Sequence, residues 1–448
     1  MKTNLLLLIC IGISANTYIA AQQIYFEGNN LPVYIEKPSS STGLNNIYVL
    51  YSSDGVSMNY SQQNVGTNVT WYSYDERGGG YAEPITGIER VDSRVTAMPQ
   101  VMPNRGYIIE EGTDRTYVWV TDYSDYELDL QNIQVDTQRD CGTARLNITG
   151  SGDDIIYYTI NGVPERLDRA LTIAYRTLEW SDENLMWEEV VVEENEESFR
   201  NSIAVPAPYC DTEFTLSGDK FLRFWDMGME VTSDTYVTSA VAVETTTVQE
   251  QRDATNEIGE NEDSGSTLGG SAPVSITFSA FCTDAMVHKE WQMSTDANFN
   301  DIQLRFTEEE LVQNLTEAGT FYYRFYGTDN SGECEAFGEV YTVSIGESSL
   351  ECPNVFSPQS SEGVNDEWKV SYKSIIQFQC WIFNRWGIQI CKLDDPSQGW
   401  DGKYKGKYVK SGTYYYVIEA VGSDGVEYNL KGDINIINYD QSENPTVN

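Results

Sequence analysis

The feature that most constrains the fold is a repeated pattern of short segments in which aromatic or β-branched residues alternate with polar ones. Residues 369–418 follow this pattern, with Gly, Asp and Asn between the segments, and residues 46–51, 69–74 and 116–120 are short runs of aromatic and branched residues that also read as strands. Successive side chains of a β-strand point to opposite faces, so the pattern predicts strands with one buried face. The 30 tyrosines and 10 tryptophans strengthen that preference. We therefore predict an all-β chain of tandem Ig-like β-sandwich domains that ends in a small C-terminal β-sandwich.

The N-terminal residues predict export. Lys2 is the only charged residue before a Leu-rich run at 5–13, and Ala20-Ala21-Gln22 offers a cleavage site. This arrangement is typical of a secretory signal peptide, which we place at residues 1–21. No later segment has about 18 consecutive apolar residues, so we expect the exported chain to be soluble.

Composition and turn signals divide the remaining chain into domains. Residues 244–272 are rich in Thr, Glu, Asp, Gly and Ser and poor in apolar residues, so we predict an acidic linker there. The other predicted units are β-sandwich domains at 22–135 and 136–243, an Ig-like domain at 273–347, a C-terminal domain at 351–438 and a tail at 439–448.

Two patterns mark the Ig-like domain. Trp291 lies between Cys282 and Cys334, as a core Trp lies between two inter-sheet cysteines in the immunoglobulin sandwich. Residues 319–332 also resemble the repeats of polycystic-kidney-disease type in bacterial surface proteins. The run Gly-Thr-Phe-Tyr-Tyr at 319–323 returns as Gly-Thr-Tyr-Tyr-Tyr at 412–416, which predicts equivalent strands in two sandwiches.

The last ninety residues carry a series of motifs. In chain order these are Val355-Phe356-Ser357-Pro358, Gly363-Val364-Asn365-Asp366-Glu367-Trp368, Asn384-Arg385-Trp386-Gly387, Gly399-Trp400-Asp401-Gly402, Gly412-Thr413-Tyr414-Tyr415-Tyr416 and Lys431-Gly432-Asp433. In order and spacing the series resembles the gliding-motility-associated C-terminal domain, which is the type B sorting domain of the type IX secretion system. The resemblance covers about residues 351–438.

The resemblance implies a destination and partners. The type IX system carries proteins across the outer membrane of Bacteroidota, so we expect a location at the cell surface or outside the cell. The expected partners are the secretion machinery and an outer-membrane anchor protein. Ser360-Ser361-Glu362-Gly363 replaces the family's usual Asn-Gly-Asp-Gly, which weakens any expectation of a bound cation in that loop, and Ser411 stands where the family usually has Pro.

The C-terminal residues also predict local structure by themselves. Residues 380–391 are typical of a hairpin that turns at 384–387, and a turn centred between Arg385 and Trp386 places Cys380 opposite Cys391. We expect Trp386 and Trp400 to be core residues, with docking to the export machinery as the alternative role.

Seven cysteines follow the predicted signal peptide, and disulfides are the first expectation in an exported protein. We predict the pairs Cys141–Cys210, Cys282–Cys334 and Cys380–Cys391. Cys352 is then left over, either free or in exchange for a member of the last pair. A metal site is not expected, because the single histidine, His288, has no cysteine at ligand spacing.

Charge and missing motifs exclude several functions. A formal net charge of −41 argues against nucleic acid as a partner. Histidine-based nucleophilic catalysis would depend on His288, which we expect at the surface. The sequence contains no Gly-x-Ser-x-Gly, no His-Glu-x-x-His and no phosphate-binding Gly loop. We expect no cofactor and no enzymatic activity.

The function that these observations favour is surface adhesion or assembly without catalysis. One alternative is a carbohydrate-binding protein, with Trp71, Tyr72 and Tyr74 as candidate stacking residues, although alternate members of that strand are expected in the core. A less favoured alternative is a glycoside hydrolase with two carboxylates, which requires an acidic cleft in residues 24–244.

Overall fold

The structure is a computed structural model that describes residues 23–28, 31–136, 140–259, 268–358 and 365–437. The predicted signal peptide and tail lie outside these residues. The described residues form 37 β-strands and one α-helix of five residues, so the prediction of an all-β chain of sandwich domains is confirmed. No helix in these ranges is long and apolar enough to cross a membrane.

The first domain consists of two sheets that face each other. Their strand orders are β1-β4-β8-β7 and β2-β3-β10-β9-β5-β6. Trp71, Tyr107 and Val120 are buried between the two sheets, in a core without cysteine. The strands are β1 (Ile24–Glu27), β2 (Tyr34–Glu36), β3 (Asn46–Leu50), β4 (Ser57–Ser61), β5 (Val69–Tyr74), β6 (Glu83–Pro84), β7 (Glu89–Arg90), β8 (Val95–Met98), β9 (Arg105–Glu111) and β10 (Asp114–Asp122).

The second domain begins earlier than the predicted residue 136. The strand Asp129–Val135 pairs with Thr143–Ser151 of the second domain, so it belongs there and not to the first domain. The elements are β11 (Asp129–Val135), β12 (Thr143–Ser151), β13 (Ile156–Tyr158), β14 (Pro164–Arg166), β15 (Leu171–Ser181), β16 (Met186–Glu196), β17 (Ser202–Pro206), β18 (Thr215–Gly218), α1 (Lys220–Phe224) and β19 (Met229–Thr232). Their sheet orders are β11-β12-β17, β13-β14 and β16-β15-β18-β19.

Residues 220–224 form the helix α1 within this otherwise β-rich domain. The cause is Asp219, whose side chain accepts hydrogen bonds from the backbone N–H groups of Phe221 and Leu222. A carboxylate in this position satisfies N–H groups that the first helical turn leaves without partners.

The first and second domains share one hydrophobic core. Ile47, Trp119 and Tyr123 come from the first domain and are buried together with Phe221 and Trp225 of the second. The β2-β3-β10-β9-β5-β6 sheet is therefore covered on both faces, by its partner sheet on one side and by the second domain on the other.

The third domain corrects the predicted linker at 244–272. Residues 243–249 form an edge strand that pairs over seven residues with β22, and residues 268–270 form another strand of the same domain. Thr-rich composition indicated a linker, but β-branched Thr also fits an edge strand. The strands are β20 (Val243–Gln249), β21 (Leu268–Gly270), β22 (Val274–Cys282), β23 (His288–Ser294), β24 (Leu304–Phe306), β25 (Glu310–Leu315), β26 (Gly319–Thr328), β27 (Glu335–Phe337) and β28 (Tyr341–Ile345). As predicted, Trp291 lies in the core.

The fourth domain repeats the main sheet of the third. Its strands are β29 (Ser349–Glu351), β30 (Val355–Phe356), β31 (Ser371–Lys373), β32 (Ile375–Phe383), β33 (Gln389–Leu393), β34 (Lys403–Tyr404), β35 (Lys407–Tyr408), β36 (Gly412–Gly422) and β37 (Glu427–Ile436). The order β30-β37-β36-β32-β33 corresponds strand by strand to β21-β28-β26-β23-β24, and in both sheets the first pair is parallel. The predicted equivalence of residues 319–323 and 412–416 is confirmed, because these residues begin the two central strands.

The disulfide pattern differs from the predicted one. Cys141 is bonded to Cys334, which joins the second domain to the third over a sequence separation of 193. The predicted pairs Cys141–Cys210 and Cys282–Cys334 are therefore wrong. The prediction assumed that each bridge closes within one sandwich, whereas Cys141 lies at the end of the second domain that contacts the third.

The predicted Cys380–Cys391 bridge is also not formed, although the hairpin turn is at the predicted place. Cys391 pairs with Ile382 and Cys380 pairs with Leu393, because the turn begins at Asn384 as predicted but extends to Ile388, and a bulge shifts the register. Diagonal neighbours are too far apart for a disulfide. Cys352 is free as well, and burial raises the pKa of the Cys380 thiol to about 12, with further contributions from Cys352 and Cys391.

Candidate functional site

The Asn384-Arg385-Trp386-Gly387 motif forms the tip of the β32–β33 hairpin. The side-chain oxygen of Asn384 accepts hydrogen bonds from the backbone N–H groups of Trp386 and Ile388, both at 3.0 Å. Gly387 has φ +78°, a conformation that glycine adopts without steric cost. The turn residues therefore fix the tip, and the two remaining side chains project from it.

Trp386 is 70% exposed, so the expectation that it is a core residue is wrong. The Arg385 guanidinium lies over its ring, 4.3 Å from the ring centroid. An exposed tryptophan that is held by a stacked arginine is typical of an anchor residue at a binding interface.

The Gly399-Trp400-Asp401-Gly402 motif has a structural role. Trp400 is 2% exposed, as predicted, and exchanges two backbone hydrogen bonds of 2.9 Å with Trp368. Asp401 pairs with Lys403 at 2.8 Å. Burial opposes ionisation of Asp401, but hydrogen bonds with Lys403 outweigh it, so the pKa of this carboxyl lies below its usual value. A Cβ on Gly402 would lie 3.0 Å from Pro358, so the motif packs this loop closely onto the core.

The Lys431-Gly432-Asp433 motif divides its roles between the two sheet faces. Gly432 faces Tyr416 in register, and a Cβ at this position would lie 2.6 Å from the Tyr416 hydroxyl oxygen. The glycine therefore leaves room for the tyrosine ring, which packs against Trp368. Lys431 and Asp433 are exposed on the opposite face of the sheet.

The outer face of this sheet carries apolar residues that the motif search missed. Phe383 is paired with Tyr415, and Trp381 is paired with Val417, so the four side chains lie side by side. Tyr415 is 46% exposed and Val417 is 38% exposed. We call these four residues, together with Trp386 at the adjoining hairpin tip, the aromatic face. The alternation of polar and apolar residues in 377–383 and 413–419 could not have identified it, because both faces of these strands carry apolar residues.

Charged residues border the aromatic face. Lys431 lies beside Val417 and Asp433 beside Tyr415 on one side, and Lys392 lies beside Trp381 on the other. An apolar centre with a charged rim is typical of a protein-binding surface.

Other candidate residues do not form a site. Trp71 and Tyr74 are 1% and 2% exposed, so they cannot stack on a sugar, and Tyr72 is half-buried. His288 is exposed on β23, as predicted. Within the described residues, no three His, Cys, Asp or Glu side chains converge on a position that could hold a metal ion.

Comparison with known proteins shows what kind of chain this is. Residues 133–233 match the family model of a fibronectin type III domain, which agrees with the sandwich at that position. The chain is thus a multidomain protein of Ig-like and fibronectin-like sandwiches. Residues 350–436 match the family model of the CHU_C type IX secretion signal domain, so the chain carries a sorting domain of the type IX system. This domain implies secretion and interaction with the secretion machinery, and it supports export across the outer membrane.

Solved structures give weaker similarities. A tetra-tandem repeat from the extending region of a large adhesion protein is 11% identical and covers 87% of this chain and 98% of its own, with a TM-score of 0.21. Fibronectin(III)-like modules of CbhA from Clostridium thermocellum are 10% identical and cover 43% of this chain and 95% of their own, with a TM-score of 0.18. Such scores carry no argument about function. No curated protein matches the chain.

Proposed function

We propose that this chain is a cell-surface adhesion or assembly protein without catalysis. Its first three domains form a stalk or binding array, and its fourth domain delivers it through the type IX system. The observation that carries the proposal is that the first and second domains share a hydrophobic core and that a disulfide joins the second domain to the third. Joined domains can hold a binding surface away from the cell, whereas flexible linkers would let it collapse.

The junction between the second and third domains supports the stalk most directly. The Cys141–Cys334 disulfide crosses it, and the indole N–H of Trp187 donates a 2.9 Å hydrogen bond to the backbone oxygen of Phe281. Trp180 packs against the Phe281 ring with centroids 5.2 Å apart. A covalent bond together with an aromatic cluster restricts rotation between the two domains.

The aromatic face is the surface that we assign to the secretion machinery. It lies on the domain that matches the secretion signal, and exposed Trp386 is its most prominent side chain. Lys431 and Asp433 at the rim offer charged contacts that would fix the orientation of a partner. An outer-membrane anchor protein is a further partner of the same domain in this proposal.

Fractionation of the cells that make the protein tests the proposal. With the full chain, we expect the protein at the cell surface or in the medium, and without residues 351–448 we expect it in the periplasm. Adhesion is then measured as the attachment of two strains relative to the parent strain. One strain lacks the protein, and the other carries a chain that keeps the sorting domain but lacks residues 24–346. Unchanged attachment in both strains would refute the adhesion role while leaving the export role intact.

Carbohydrate binding is the second candidate, and one surface of the third domain favours it. The Arg324 guanidinium lies between the rings of Phe299 and Phe337, at 4.2 and 4.8 Å from their centroids. Phe337 is 47% exposed and packs against Tyr326. The exposed Phe337 ring beside this guanidinium could stack on a sugar that carries a carboxylate. A glycan array probed with the full chain and with Arg324→Gln tests this candidate, and absence of any bound glycan would rule it out.

The proposal assigns no hydrolase activity to the chain. A general acid of a glycosidase needs a raised pKa. In the part of the chain that the structure describes, the carboxyl groups with clearly shifted pKa values shift downward instead, and they are Asp75, Asp92, Glu111, Asp296, Asp329, Asp401 and Asp424. That direction is typical of carboxylates with structural roles.

A further inference from the structure

Residues 252–258 leave the third domain and pack against the fourth. They follow the edge strand β20 and precede β21, so both ends of the segment belong to the third domain. The backbone N–H of Ile258 donates to the oxygen of Tyr372 at 2.7 Å, and the N–H of Tyr372 donates to the oxygen of Asn256 at 3.2 Å. Glu257 is thus bridged in parallel to Tyr372 of β31. The segment adds an edge to the β29–β31 sheet of the fourth domain.

Side chains strengthen this contact. The Asn256 amide nitrogen donates to the backbone oxygens of Val370 and Pro396, at 2.7 and 2.8 Å. Ala254 packs against the core of the fourth domain. One amide that bonds to two separate loops fixes the position of the segment, because both oxygens must stay within reach of it.

Contacts next to the segment join the same two domains. The Ser271 hydroxyl accepts a 2.7 Å hydrogen bond from the N–H of Ser374, and the Ser374 hydroxyl accepts one of 3.1 Å from Ala272. The N–H of Ala318 donates to the backbone oxygen of Ser423 at 3.0 Å. The covalent connection between the domains is only the short segment from Gly346 to Ser348, between β28 and β29.

We infer that residues 252–258 act as a clasp that keeps the fourth domain bound to the third when the backbone between them is cut. The clasp is a strand-addition contact within one chain, in which backbone hydrogen bonds supply affinity and Asn256 supplies register. Cleavage of the connector at 346–348 therefore does not release the sorting domain. This inference rests on the contacts alone and does not depend on the proposed function.

The test uses the full chain with a protease recognition sequence inserted at Glu347, which is exposed. After cleavage, the two pieces should elute together from a size-exclusion column at about 10 µM, a concentration well above a Kd of about 1 µM. They should separate in urea. Separation of the cut chain in native buffer would overturn the inference.

Paired variants at Ile258 test the clasp itself. Ile258→Pro removes the N–H that bonds to Tyr372, whereas Ile258→Ala keeps it and changes an exposed side chain. Asn256→Ala removes two hydrogen bonds and should weaken association about tenfold. The Pro variant should dissociate faster than the Ala variant after cleavage. Equal dissociation of both variants and the parent would show that the clasp does not hold the domains. Thermal unfolding of the uncut variants checks that each variant is folded. If a variant does not fold, deuterium exchange at the backbone amides of Ile258 and Tyr372 in the parent protein provides the test instead. Rapid exchange at these two amides would equally overturn the inference.

Discussion

Arg169 and Asp219 form a salt bridge with an N–O distance of 2.5 Å, and their side chains are 1% and 0% exposed. The Tyr123 hydroxyl of the first domain donates to the same Asp219 oxygen at 3.0 Å. The other Asp219 oxygen caps α1, and Arg169 donates from two nitrogens to the backbone oxygen of Asp153. One ion pair thus connects the first domain, the helix and a loop of the second domain.

Breaking this pair should destabilise the shared core strongly. Asp219→Asn leaves a buried guanidinium without its counter-charge, so we expect the free energy of unfolding to fall by about 3–5 kcal/mol. Urea unfolding followed by tryptophan fluorescence measures the change. Asp75→Asn is the matched control, because Asp75 pairs with Arg77 on the surface, and it should leave the unfolding midpoint nearly unchanged. A similar effect of both variants would contradict the assigned role of burial.

Glu111 should make the stability of the first domain depend on pH. Burial opposes its ionisation, but the N–H groups of Asn64 and Gln63 and the hydroxyl of Tyr60 outweigh burial, so the pKa of Glu111 lies below its usual value. The folded pKa is thus lower than the unfolded one. The stabilisation is present above the unfolded pKa and is lost as the pH falls through the folded pKa.

Glu111→Gln should therefore lower the free energy of unfolding at pH 7. Between pH 7 and about pH 3, the variant should also lose less of that free energy than the parent protein does. Urea midpoints at the two pH values measure both effects. Glu110→Gln on the neighbouring position serves as the control, since the Glu110 carboxylate pairs with exposed Arg115. An unchanged pH dependence in Glu111→Gln would assign acid sensitivity to other groups.

The inter-domain disulfide can be tested by mass and by stability. Peptide mapping without reduction should recover Cys141 linked to Cys334, with Cys210, Cys282, Cys352, Cys380 and Cys391 as thiols. Cys334→Ser together with Cys141→Ser should lower the free energy of unfolding by about 3–5 kcal/mol, because the bond closes a long loop. Cys210→Ser is the control and should have little effect. Recovery of a Cys282–Cys334 peptide would refute the observed pairing.

Trp386 and Trp400 should separate export from stability. Trp386→Ala removes an exposed ring, so unfolding should be unchanged while export to the cell surface falls. Trp400→Ala removes a buried ring and should destabilise the fourth domain by about 3–5 kcal/mol. Cell fractionation and thermal unfolding of both variants provide the measurements. Normal export of a stable Trp386→Ala protein would remove the aromatic face from the proposed docking role.

Strand-forming residues and motifs could be predicted from the sequence because their causes are local. Runs of aromatic and branched residues placed the strands near 46–51 and 69–74, and Asn384 with Gly387 placed a turn. The burial of Trp291 followed from its spacing between Cys282 and Cys334, although those two cysteines are not bonded to each other.

Relations between domains could not be predicted in this way. The bond from Cys141 to Cys334 depends on how two sandwiches meet, and no local pattern encodes that geometry. Residues 243–258 have the composition of a linker, yet each part finds a sheet edge that accepts its backbone hydrogen bonds. Backbone pairing of this kind requires no apolar side chains, so composition gives no sign of it.

The matching strand orders of the third and fourth domains mean that a receptor for the fourth domain must tell two similar sheets of one molecule apart. A receptor that recognised only this strand order would bind the third domain as readily as the fourth. The connection from β23 to β24 in the third domain differs, however, from the equivalent connection from β32 to β33 in the fourth domain. In the third domain Phe299 of that connection is 6% exposed beneath Arg324, whereas in the fourth domain Trp386 is 70% exposed. In the proposed docking role, the side chains of the β32–β33 hairpin tip, and not the shared strand order, distinguish the fourth domain from the third.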